Sequence, residues 1–106
     1  MAIKYFDNNW KEAVKEDLWL LDFYSETCGP CKMLAKNLEV LDFEFPVINI
    51  GTVNLTKYPK IGEELEVKAV PTILIIKDGI ILVKHIGFLS VQQLKEMVSH
   101  YLYETE

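Results

Sequence analysis

Leu18-Trp19-Leu20-Leu21-Asp22-Phe23-Tyr24-Ser25-Glu26-Thr27-Cys28-Gly29-Pro30-Cys31 is the stretch from which the fold can be read. Its first seven residues form an apolar run rather than an alternating one, the pattern of a central strand covered on both faces. Asp22 stands out inside that run. Residues 25–27 read as a loop, and Pro30 suits the first turn of a helix, where its missing N–H costs nothing. Beyond it Met33, Leu34, Leu38 and Leu41 recur at helical spacing, with Lys32, Lys36 and Glu39 on the opposite side. This helix is expected to stop before Pro46.

Upstream, residues 3–6 suit a short edge strand. Asp7, Asn8 and Asn9 offer capping side chains for a short helix that presents Trp10, Ala13 and Val14 and ends near Glu16 or Asp17. Downstream, residues 47–53 read as a strand. Asn54 or Thr56 is expected to cap a helix over 57–65, with Pro59 in its first turn. Residues 72–77 form an emphatic strand, Asp78-Gly79 is a strong hairpin signal, and residues 80–86 return antiparallel. Ser90 opens a last amphipathic helix bearing Val91, Leu94, Met97 or Val98, Tyr101 and Leu102. The order βαβαβαββα, with parallel strand–helix–strand units early and a hairpin late, predicts an α/β mixed sheet with helices on both faces. No repeat, linker or low-complexity tract divides residues 1–106, so a single domain is expected.

Cys28 and Cys31 are the only cysteines. Half of the 106 residues are hydrophobic, enough for a core without staples. A bridge between them would close so short a loop that it constrains the unfolded chain by only about 2 kcal/mol. The pair therefore calls for a chemical explanation. At i and i+3 on the first turn of a helix they share a face and lie close enough to bridge. Cys28 sits at the helix N-terminus, where unpaired N–H groups and the dipole favour a thiolate. Cys31, one turn inside, is placed to resolve a mixed disulfide. Two bland readings stand beside this one. A zinc half-site also uses Cys-x-x-Cys but needs four ligands, and the only histidines, His85 and His100, are far away in sequence. The other is a pair of inert buried thiols.

Net charge is −5 with no basic cluster, which argues against nucleic acid or an anionic membrane as partner. No apolar run approaches the roughly 20 residues that span a bilayer. The first residues lack the pattern of a leader, so a cytoplasmic, reducing location is expected, where a disulfide is transient and catalytic.

Residues 21–33 resemble the active-site segment of thioredoxins. Val70-Pro71-Thr72 is similar to the family's cis-proline loop, and Lys77-Asp78-Gly79 and Ile86-Gly87-Phe88-Leu89-Ser90 are similar to its later turns. The resemblance covers nearly the whole chain. It implies the thioredoxin fold, a central mixed five-stranded β-sheet flanked by four helices, and a protein-disulfide reductase in which Cys28 attacks and Cys31 resolves. It implies no metal and no cofactor beyond the Cys28–Cys31 disulfide. Its partners would be disulfide-containing proteins and a thioredoxin reductase or similar electron donor, with the protein a monomer.

By the same resemblance Asp22 is the buried carboxylate beneath the thiols, able to exchange a proton with Cys31. The alternative is an aspartate at a strand end facing water. Pro71 is the cis proline that turns the Val70 backbone toward the disulfide. Gly87 keeps the substrate groove open, unless it is an ordinary strand-end glycine. Thr27, Gly29, Pro30, Val70, Pro71, Gly87 and Phe88 make up that groove. The chain departs from the family pattern at Thr27 and Tyr24, where Trp is usual, at Thr52, where Lys commonly partners the buried Asp, at Lys36, where a helix proline is usual, and at Phe88, where a small residue is common. These departures leave two further readings open: a specialised redox donor to one enzyme, and a non-catalytic binding module of the same fold.

Overall fold

The computed structural model describes residues 3–103. Nine elements follow the expected order: β1 (Lys4–Phe6), α1 (Trp10–Ala13), β2 (Leu18–Tyr24), α2 (Gly29–Glu44), β3 (Asn49–Asn54), α3 (Pro59–Glu64), β4 (Thr72–Lys77), β5 (Ile80–Ile86) and α4 (Val91–Tyr103). The five strands make one sheet in the order β1-β3-β2-β4-β5. β1 and β2 both run parallel to β3, whereas β4 is antiparallel to both β2 and β5.

The apolar run is the middle strand, and its side chains divide between two cores. Leu20 packs with Leu34, Leu38 and Leu41 of α2 and with Leu94 and Val98 of α4. Trp19, Leu21 and Phe23 point the other way, among Trp10, Val14 and Ile61 on the α1 and α3 side. Strand alternation with apolar residues on both faces is what a two-sided sheet demands.

The later elements rest on local chemistry. Asp78 and Gly79 both have positive φ, 51° and 83°, as a type I′ turn requires. Ser90 and Gln93 form a reciprocal cap: Gln93 N–H donates to Ser90 Oγ, and Ser90 N–H donates to Gln93 Oε1.

Five local expectations change. α1 stops at Ala13, not near Glu16 or Asp17, because Asp17 takes φ 72° and its N–H is held by Asp78 Oδ1 in the turn that feeds β2. The Asn9 side chain makes no cap hydrogen bond; instead Asp7 Oδ1 accepts from Asn9 N–H. β3 begins at Asn49, since Pro46 and Val47 are spent in the turn after α2. α3 begins at Pro59 after an uncapped Tyr58, because Asn54 Oδ1 accepts from Thr56 and Lys57 N–H in the preceding turn while Thr56 Oγ1 accepts from Glu26 N–H. Met33 also leaves the predicted apolar stripe and is 60 % exposed; Cys31 takes the inward position beside Leu34.

Gly51 of β3 stands where the edge strand closes over the sheet. A Cβ there would overlap the Phe6 ring and press on Leu21. Gly51→Ala is therefore expected to cost about 1–3 kcal/mol by overpacking, measured as a lower urea midpoint at unchanged m-value.

Candidate active site

β2 delivers the chain to residues 25–27 at one end of the sheet, and α2 begins there with Cys28 as its N-cap and Pro30 in its first turn. Cys28 and Cys31 are joined in a disulfide with a Cα–Cα separation of 5.3 Å. Cys31 N–H donates to Cys28 Sγ at 3.1 Å, so the sulfur fills the role that a Ser or Asp oxygen plays at other helix starts. Both cysteines are mostly buried, Cys28 at 8 % exposure and Cys31 at 3 %. The outer sulfur thus belongs to the residue at the helix end and the inner one to the residue packed into the core. Thr27, Gly29 and Pro30 around them are exposed.

Two other segments reach the same end of the sheet. In register, Phe23 of β2 faces Thr72 of β4, and Thr72 faces Ile86 of β5. This puts Val70 and Pro71, just before β4, and Gly87 and Phe88, just after β5, alongside the end of β2 that leads to Cys28. The Val70–Pro71 peptide is cis. Gly87 N–H donates to Pro71 O, Thr72 Oγ1 to Ala69 O, and Asn37 Nδ2 of α2 to Leu89 O. Gly87 has φ 113° and open space where a Cβ would stand. Its glycine is required by backbone conformation rather than by crowding. Phe88 is 40 % exposed.

Asp22 does not face water. It is 1 % exposed, on the α2 side of β2, and it lines a cavity of about 310 Å³ together with Cys31 and Thr52. Thr52 is its register partner on β3. Asp22 Oδ1 and Thr52 Oγ1 have no hydrogen-bond partner among the described residues. Burial pushes the Asp22 carboxyl up to about 7 from an ordinary 3.8. Sequence reasoning did not find the cavity; its signal was Thr52 in place of a lysine partner to Asp22, and the structure leaves that hydroxyl without a hydrogen-bond partner among the described residues. Among the described residues no group of three or more His, Cys, Asp or Glu side chains could hold a metal ion, and no helix is long and apolar enough to cross a membrane.

An acid with a raised folded-state pKa contributes stability that is fully present below pH 3.8 and lost as pH rises through about 7. Asp22→Asn removes that loss. The oxidised variant is expected to match the wild type near pH 3 to 4 and to exceed it above pH 7 by up to on the order of 4 kcal/mol. Urea titrations across pH check this, and parallel pH curves for the two proteins would contradict it.

Comparison with known proteins agrees with the geometry. The thioredoxin family model matches residues 2–100. The thioredoxin of Chlamydia trachomatis is 34 % identical over 91 residues, covering 86 % of this chain and 89 % of that protein. The thioredoxin of Bacillus subtilis is 32 % identical over 101 residues, covering 94 % and 97 %. Oxidised mitochondrial thioredoxin 3 from Saccharomyces cerevisiae superposes with a TM-score of 0.82 at 30 % identity, covering 92 % of this chain and 93 % of that one. With the thioredoxin sheet and helices in place and a disulfide joining Cys28 to Cys31 at the head of α2, the chain belongs to the thioredoxin family and is a thiol–disulfide oxidoreductase.

Proposed function

We propose that the protein reduces disulfides in other proteins through Cys28, with Cys31 resolving and Asp22 handling the proton. The observation that carries this reading is the disulfide at the start of α2, with the Cys31 N–H directed at Cys28 Sγ. In the reduced protein the same N–H and the helix N-terminus favour a thiolate on Cys28. That thiolate attacks one sulfur of a substrate disulfide, forming a mixed disulfide and expelling the first substrate thiolate. Cys31, giving its proton to the Asp22 carboxylate, then attacks Cys28 Sγ and expels the second. Two electrons pass to the substrate, and the Cys28–Cys31 disulfide is formed. A thioredoxin reductase or similar donor returns the two electrons.

A carboxyl titrating near 7 suits this exchange, because it can accept and return a proton at working pH. Thr27, Gly29, Pro30, Val70, Pro71, Gly87 and Phe88 form the groove in this reading. An extended substrate segment pairs with open backbone at Val70, while Phe88 supplies apolar contact. The reading extends to a monomer of one domain in a reducing compartment such as the cytosol, where a catalytic disulfide is recycled. A second reading, a donor dedicated to one enzyme, is favoured by a small Thr27 and a large Phe88, both exposed.

Insulin reduction separates these outcomes. Cys28→Ser is expected to abolish turnover with either dithiothreitol or NADPH plus thioredoxin reductase as donor, and Cys31→Ser to accumulate a mixed disulfide with the substrate. Wild-type turbidity rates in Cys28→Ser would sink the redox assignment. Phe88→Ala is expected to raise KM for protein substrates by up to about tenfold at similar kcat. Efficient turnover of one physiological protein alongside negligible insulin reduction would favour the dedicated donor.

A further inference from the structure

The stretch that leads β2 into Cys28 is tied to the end of β3. Tyr24 and Asn54, the last residues of the two strands, are register partners. Past them the chain diverges, β2 into the loop at residues 25–27 and β3 into the turn before α3. Three hydrogen bonds cross between the two: Leu55 N–H donates to Tyr24 O at 2.7 Å, Glu26 N–H to Thr56 Oγ1 at 2.9 Å, and Asn54 Nδ2 to Glu26 Oε2 at 2.9 Å. Glu26 is thus held through both its backbone and its side chain, two residues ahead of Cys28.

Asn54 serves two sets of partners. Its Oδ1 accepts from Thr56 N–H at 2.9 Å and from Lys57 N–H at 3.3 Å, which folds the turn and presents the Thr56 hydroxyl. With Oδ1 taken by two backbone donors, Nδ2 is the end of the amide left for Glu26. An aspartate would build the same turn but has no N–H to offer a carboxylate. Glu26 in turn lines the cavity that Asp22 and Cys31 share. We propose that Asn54 is a positioning residue for the redox step. By clamping Glu26 it keeps the loop before Cys28 ordered while the Cys28–Cys31 bond is open, so that the two sulfurs close with little further loss of freedom.

The clamp matters most in the reduced protein. In the oxidised chain the disulfide itself fixes Cys28 against α2. Once that covalent tie opens, the hydrogen bonds at residues 24–26 are what hold the approach to the helix. A loop ordered in advance loses less entropy on ring closure, so clamp and disulfide favour one another. Loss of the clamp leaves the chemistry unchanged: two electrons and two protons still leave the dithiol as the S–S bond forms. The equilibrium shifts instead. The disulfide forms less readily, the potential becomes less negative, and Cys31 resolves a mixed disulfide more slowly. One net hydrogen bond at an exposed position corresponds to about threefold to tenfold in that equilibrium, or about 15–30 mV for a two-electron couple. This rests on the redox reading of Cys28 and Cys31, but not on which protein they reduce.

The test equilibrates the full chain with glutathione redox buffers and reads its oxidised fraction by mass after alkylation, so that no protein substrate enters. Asn54→Asp, which keeps the turn and loses the donor, is expected to make the potential less negative by about 15–30 mV. Glu26→Ala is expected to shift it the same way, although its change of charge is opposite in sign. Glu26→Gln, which still offers an acceptor, is expected to stay within about twofold of the wild-type equilibrium. Combining Asn54→Asp with Glu26→Gln swaps donor and acceptor across the same contact, and is expected to restore the wild-type potential. An unchanged potential in Asn54→Asp, opposite shifts in Asn54→Asp and Glu26→Ala, or a double variant no closer to wild type than Asn54→Asp would each overturn the proposal. A wild-type chain with no reversible couple in these buffers would remove the redox reading, and this inference with it.

Discussion

The interaction on which the rest depends is the burial of β2 on both faces of the sheet. A strand in that position must carry apolar side chains in both directions, and the two cores on either side are built on Leu20 for one and Trp19, Leu21 and Phe23 for the other. Parallel β3 and antiparallel β4 then hold it along its length. Because β2 cannot shift without exposing one core or the other, its last residue ends at a defined point. The chain turns there and starts α2, whose Leu34, Leu38 and Leu41 are already committed to the first core. Cys28 becomes the N-cap as a result of this packing, and Cys31 enters the core one turn later.

The same constraint explains why a carboxylate at Asp22 is unlike one on the surface. Its neighbours in the strand fix it on the α2 face, where α2 covers it and water is largely excluded. Desolvation penalises its charge, and the directly paired Thr52 has a hydroxyl but no positive charge to offset that penalty. Asp22 and Cys31 line the same cavity, so the carboxyl and the inner cysteine share one poorly solvated environment.

At the open end of the sheet, contacts between distant segments assemble a surface that no single motif contains. The Pro71 carbonyl and the Gly87 amide meet, Asn37 reaches from α2 to Leu89, and Phe88 is left projecting between these anchors. Thr27 beside Cys28 is small and exposed. Apolar area at this end is therefore supplied from the β5–α4 connection more than from the residue preceding the first cysteine. The disulfide is local to one helical turn, while the surface around it comes from three loops.

Much of this was legible in the residues themselves. β2, β4 and β5 carry the boundaries that their apolar runs and the Asp78-Gly79 turn implied, and Ser90 caps α4 as its side chain suggested. Short-range chemistry controls those features, so a single sequence states them. The end of α1 and the start of α3 were misjudged because they answer to long-range hydrogen bonds, Asp17 with Asp78 and Glu26 with Thr56, and the start of β3 because the turn after α2 takes up Pro46 and Val47. Met33 fits a helical stripe but faces out, since the helix is rotated to bury Cys31 and Leu34 instead. By itself the sequence determined an α/β mixed sheet through periodicity and put Cys28 and Cys31 within one helical turn, while the family resemblance supplied the fold's name and the disulfide. Only the tertiary structure decided that Asp22 is buried, that Thr52 is orphaned beside it, and that a cavity joins both to Cys31, because burial is set by what other segments bring across the sheet.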